Sequence, residues 1–265
     1  MVYRLLSSTG LEACFTKGLQ TIRQVKLHTM TLFALILANL IVMAASAVQT
    51  AVGIGFGLIA VPLLALIDIR LIPGPTLFVS LFLALTMTSV GRAAIDRKEM
   101  SRIFVGLVIG TVFGGLALAI APPDYLPVLF GSMILVAVVV SLLGFEVKVS
   151  DRNLIASGAA AGMMGTMSGI HGPPLALLYQ HEKPDKVRAM IASAFAFGYT
   201  ISIVALHFTG YFGWVEFKLA IFLFPGLAAG YVLPKLFAGV IPDKSLRTGI
   251  LVIAGFSALM LIFNG

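Results

Sequence analysis

Charge is what this chain has least of. Eighteen Lys and Arg and eleven Asp and Glu make up 11% of its 265 residues, where a soluble domain carries roughly 25%. That shortfall excludes a water-soluble globule. Cysteine is nearly absent as well: Cys14 alone permits neither an internal disulfide nor a multi-cysteine metal site. No GxxxxGK[ST] loop occurs, so the chain carries no ATPase of its own. No Asp or Glu falls in the middle of a long apolar run, which removes the carboxylate relay of proton-driven pumps. A nucleic-acid surface needs a folded basic face outside lipid, and no polar segment is long enough to supply one.

What remains is apolar. Hydrophobic residues are 59% of the chain and mean hydropathy is +1.05. With them come 27 glycines and 12 prolines, both commoner in membrane helices than in soluble ones. This composition predicts an all-α, polytopic membrane protein whose partners are the bilayer and a small solute. Residues 1–28 stand apart, with Arg4, Lys17, Arg23 and Lys26 against Glu12 alone. Apolar residues recur there at helical spacing, the pattern of a basic amphipathic helix lying on a membrane. Met30 is an alternative natural start.

Beyond the extension, apolar runs are expected over 31–52, 56–69, 75–94, 103–120 and 126–145. A polar linker at 146–153 follows, then runs over 154–167, 173–179, 187–208, 217–233 and 246–263. Crossing ~30 Å of hydrocarbon takes about 20 residues. The runs at 56–69 and 173–179 fall short, and each follows a glycine cluster. Gly53, Gly57 and Pro62 recur as Gly165, Gly169 and Pro174, 112 residues on, and Gly115 recurs as Gly230, 115 residues on. The order of long and short runs also repeats. The expected organisation is therefore two membrane repeats, 29–145 and 154–265, of about five helical elements each.

Lys and Arg counts favour five elements per half. That arrangement places twelve on one side and six on the other, against eleven and seven for four per half. Without residues 1–28 the contrast sharpens to twelve against two, versus seven against seven. Cytoplasmic loops collect the excess. An odd number of elements turns the second half upside-down, making inverted repeats of the kind secondary transporters use.

Glycine costs about 1 kcal/mol and proline about 3 inside a helix, and irregular backbone survives at membrane depth only beside protein or a water-filled cavity. Paired Gly/Pro breaks in two halves therefore mark a binding site. A short helix starting after each break offers unpaired N–H groups to an anion. The candidate substrate ligands are Gly53, Gly55, Gly57, Gly169, His171 and Gly172. Arg92, Thr76, Ser80, Ser193 and Thr200 are candidates for lining a pathway, Arg92 by guiding anions and the hydroxyls by their helical spacing. No metal, cofactor or catalytic group is expected.

Several of these segments are similar to those of the TauE/SafE family of bacterial sulfite exporters and sulfonate permeases. They are Gly53-Ile-Gly-Phe-Gly57 through Pro62, Ile95-Asp96, Ser168-Gly-Ile-His-Gly-Pro-Pro174, Thr209-Gly-Tyr-Phe-Gly-Trp214, Pro225-Gly226 and Gly230. The resemblance spans about 34–261 and rests on the order and spacing of the motifs. It implies a multi-pass protein of the bacterial inner membrane that exports or exchanges small sulfur-containing or carboxylate anions. Two alternatives come from other classes. Met163, Met167 and His171 at i, i+4, i+8 suit a soft metal ion if the helix runs on through the glycines. Ser168-Gly169 has a weaker likeness to the nucleophile of intramembrane serine proteases.

Overall fold

The computed structural model describes residues 31–143, 147–236 and 243–264. The amphipathic extension at 1–28 and part of the linker lie outside the described residues. Among the described residues there are ten α-helices and three 3-10 turns, and no strand. In chain order the helices are α1 (Leu32–Val52), α2 (Phe56–Ile67), α3 (Gly74–Gly91), α4 (Arg97–Ile120) and α5 (Leu126–Leu143). The second half supplies α6 (Asp151–Ser168), α7 (Gly172–Tyr179), α8 (Pro184–Phe208), α9 (Trp214–Leu236) and α10 (Asp243–Asn264). Each expected run is a helix, and α2 and α7 are short, as expected. Five segments are long and apolar enough to cross a membrane: α1, α4, α8, α9 and the stretch Ile69–Ala94 containing α3.

Local chemistry sets the ends. Thr31 and Ser150 cap α1 and α6 through their hydroxyls. The Asp96 carboxylate accepts from the N–H groups of Lys98 and Glu99, which makes Ile95-Asp96 the start signal of α4. The N–H of Glu99, followed by that of Lys98, holds this exposed carboxyl below its ordinary range. The first and sixth helices end alike. Gly53 (φ 97°) and Gly169 (φ 87°) adopt the left-handed conformation that favours glycine, and their N–H groups close on Gln49 O and Gly165 O.

Two seams of bare backbone hold the bundle. Along α4, Gly106, Gly110 and Gly114 lie against the carbonyls of Ile155, Ala159 and Met163 in α6. Gly158 and Gly162 return the contact against Ile103 and Leu107. Along α9, Gly226 and Gly230 lie against the carbonyls of Asn39 and Met43 in α1. Numbers rise together along both pairs, so both are parallel. Small residues let helices approach this closely in lipid, where packing and not the hydrophobic effect draws them together.

Two other pairs run antiparallel. Gly91 at the end of α3 meets Ala189 near the start of α8, while Gly74 at the start of α3 meets Tyr211 and Phe212 beyond the end of α8. Gly131 of α5 meets Ala258 and Ile262 of α10, and Val138 faces Gly255. All four pairs join the first half of the chain to the second, so the halves are not separate packing units.

The spacing of corresponding positions differs from the sequence expectation. The two helix-ending caps, Gly53 and Gly169, lie 116 residues apart, where the expected repeat has 112. The seams show the same interval: Asn39 and Met43 meet glycines as Ile155 and Ala159 do, again 116 apart. Gly226 and Gly230 make the backbone contacts on α1 that Gly106 and Gly110 make on α6. Gly115, the expected partner of Gly230, touches only the Ala205 side chain.

Candidate functional site

The two breaks in the helices meet. A Cβ on Gly57, in the first turn of α2, would stand 3.0 Å from the Gly169 carbonyl and 3.3 Å from Ile170 Cα. Gly169 in turn faces Val61 of α2 and Pro73 and Thr76 at the start of α3. The first break faces other neighbours: Gly53 lies against Arg188 of α8, and Gly55 against Val48.

Each break carries one large buried polar side chain, placed differently. In the first, Gln49 comes from the end of α1, and its Oε1 accepts from the Phe56 N–H at 3.1 Å, capping α2. In the second, His171 comes from the break itself. Its ring occupies the space that Gly165 leaves open, where any Cβ would overlap it, and its other edge packs against Gly198. Counted from the caps, Gln49 stands where the second break has Gly165, and Gly55 where it has His171.

Tyr199 of α8 packs on the second break, where its ring meets His171 edge-on with centroids 4.8 Å apart. His171 Nε2 is 3.3 Å from Ser202 Oγ, itself 2.7 Å from Thr166 Oγ1. Gln49, Thr166, His171, Tyr199 and Ser202 are all buried. Gln49 Nε2 and His171 Nδ1 have no protein partner among the described residues. Sequence reading missed Gln49, Tyr199 and Ser202.

The short helices are unequal as anion-binding ends. With Phe56 N–H capped by Gln49, the first turn of α2 keeps the N–H groups of Gly57 and Leu58 outside its own ladder. In α7 the corresponding places are Pro173 and Pro174, which have no N–H to offer. Gly172 begins α7, and a Cβ there would meet only Phe195 at 3.7 Å.

The pathway candidates divide. Thr76 and Ser80 are buried and spend their hydroxyl protons on the carbonyls of Pro73 and Thr76. Thr200 is exposed and bonds Ala196 O, and Ser193 is half-buried. Arg92 is exposed at the end of α3. The methionine and histidine set does not share a face, because α6 stops at Ser168 and the chain turns at Gly169. Met163 is 39% exposed while Met167 and His171 are buried. Ser168 Oγ donates to Met164 O, so the weak protease likeness finds no serine–histidine pair at that residue.

These breaks fall inside a matched stretch: the family model described as sulfite exporter TauE/SafE covers residues 38–261. The chain belongs to the TauE/SafE family. No curated relative and no solved structure matches it. Membership makes the chain a multi-pass membrane transport protein of a family of sulfite exporters. The TauE/SafE stretch takes in both breaks, both seams and the Thr209–Trp214 loop, whose Tyr211 and Phe212 close over Gly74.

Proposed function

We propose that the chain exports a small oxyanion, sulfite or a related sulfur-containing or carboxylate anion, across a bacterial inner membrane. Its site is the meeting point of the two breaks, between two inverted repeats. One observation carries the reading: Gly57 abuts Gly169 and Ile170 beside two buried nitrogens, Gln49 Nε2 and His171 Nδ1, that lack protein partners. The Gln49 amide nitrogen is a donor, and His171 Nδ1 is one in the tautomer whose Nε2 accepts from Ser202. A buried donor left unpaired costs about 1–3 kcal/mol, which an oxyanion recovers on binding. Donors come from neutral groups, so the anion is held without burying a lysine or arginine.

Inversion is supported by direction. Corresponding helices α3 and α8 run antiparallel, as do α5 and α10, which is what five elements per half require. On that topology the ends of α1 and α3 and the starts of α4, α6 and α8 share one face. Twelve of the Lys and Arg beyond residue 30 belong to it, leaving Arg70 and Lys218 for the other. The positive-inside rule makes the crowded face cytoplasmic. An inside-negative potential then drives export: one negative charge gains about 2.3 kcal/mol per 100 mV, roughly a fifty-fold gradient at 1.4 kcal/mol per decade.

The test is flux from proteoliposomes over sulfite, sulfonates, thiosulfate and small carboxylates. Gly57→Leu and Gly169→Leu are expected to abolish transport while insertion stays normal. Full activity in both would overturn the site.

A further inference from the structure

The two breaks have different immediate neighbours, and at the first that neighbour is a cation drawn from the basic face. Arg188, in the first turn of α8, lies across Gly53 with its Cγ 3.0 Å from where a Cβ would stand. Its Nη2 donates to the Ala51 carbonyl at 2.8 Å. The residue is exposed and forms no ion pair among the described residues. Its neighbour Lys186 is neutralised by Glu99 and Glu182. At the second break the residues in the corresponding places are Val61, Pro73 and Thr76, all uncharged. Of the two cations on that face, Arg70 is paired with Asp68 and Lys218 lies over the Trp214 ring. The α2 end beside Arg188 also keeps its N–H donors, whereas the α7 end has prolines.

We propose that Arg188 makes the two mouths of the transport path unequal, so that the anion is captured with higher affinity from the Arg188 face than from the face of Gly169. This rests on the transport reading above and adds a specificity-determining residue to it. A guanidinium without a counter-ion at a mouth concentrates anions there by field alone, and the part of its planar fork not bonded to Ala51 can meet an oxyanion. Glycine at position 53 is what lets the side chain lie over the break; any Cβ would push it away. The result is a carrier built to load from one side and release on the other. It cannot rectify a passive flux, because Vmax/KM must be equal in both directions at zero potential. What it sets is the ratio of the two KM values.

The experiment measures zero-trans sulfite flux at zero potential in vesicles of defined orientation, giving KM from each face. The wild-type chain is expected to show a KM at least about tenfold lower from the Arg188 face. Arg188→Gln should bring the ratio close to one, and Arg188→Lys should keep most of it. High ionic strength should shrink the wild-type ratio and leave that of Arg188→Gln unchanged. A wild-type ratio near one overturns the proposal, as does a ratio that survives Arg188→Gln. A merely structural helix cap would instead lower Tm and Vmax in both directions at constant ratio, which also overturns it. If Gly57→Leu and Gly169→Leu lose transport while the ratio is insensitive to Arg188, this inference fails and the site stands. A wild-type chain that moves none of the anions overturns both.

Discussion

At the scale of single residues, the site depends on space as much as on chemistry. His171 fits only because positions 165 and 198 have no side chain. Gly165→Ala is expected to destabilise the protein by about 1–3 kcal/mol, the ordinary cost of overpacking, read as a lower Tm in detergent. His171→Ala in the same chain should restore much of the loss, since the two changes share one cavity and are not additive. His171 was legible in the sequence because a histidine between glycines stands out. Gln49 was not: an amide inside an apolar run matches no motif, and its bond to the Phe56 N–H exists only in the folded break. Tyr199 and Ser202 are legible only once α8 is known to pass behind the second break.

At the scale of helices, glycine does two separate jobs. At Gly53 and Gly169 it ends a helix; along α4, α6 and α9 it brings two backbones together. Gly110→Val should weaken the α4–α6 seam, because the new side chain would overlap the Ala159 carbonyl, and a loss of Tm with no change in KM is the expected signature. The α1–α9 seam has an additional tie. Asn39 accepts from Gly226 N–H at 2.8 Å and donates to Phe222 O at 2.9 Å, so an amide stands where α9 would bond to itself. Asn39→Leu leaves both groups to find each other or stay unpaired, a loss of about 0.6–2 kcal/mol on the scale of membrane hydrogen bonds. Helix runs and both breaks were readable from hydropathy and glycine clusters. The interval between the two helix-ending caps was not, for a physical reason. Offsets of 112 and 116 differ by four residues, about one helical turn, so the same face lines up either way. Only the positive φ at the caps separates them.

At the scale of the whole chain, the proposed topology of ten crossings would put both ends of the membrane domain on one face. A reporter fused at the C-terminus is expected to register on the side away from the basic loops; a cytoplasmic signal would mean four crossings per half and would remove the inversion. The acids among the described residues agree with this arrangement, since Asp68, Asp96, Glu99, Asp124, Asp151, Glu182, Asp185, Glu216 and Asp243 all lie at helix ends or in loops. The seams also bear on biogenesis. Helix α1 leaves the ribosome first, yet its partner α9 is made after nearly every other helix. Until then Asn39 and the α1 carbonyls must wait in lipid, and α4 waits in the same way for α6. The first half is therefore expected to need holding factors during synthesis. Made alone, it should be degraded, and supplying the second half as a separate polypeptide should rescue it.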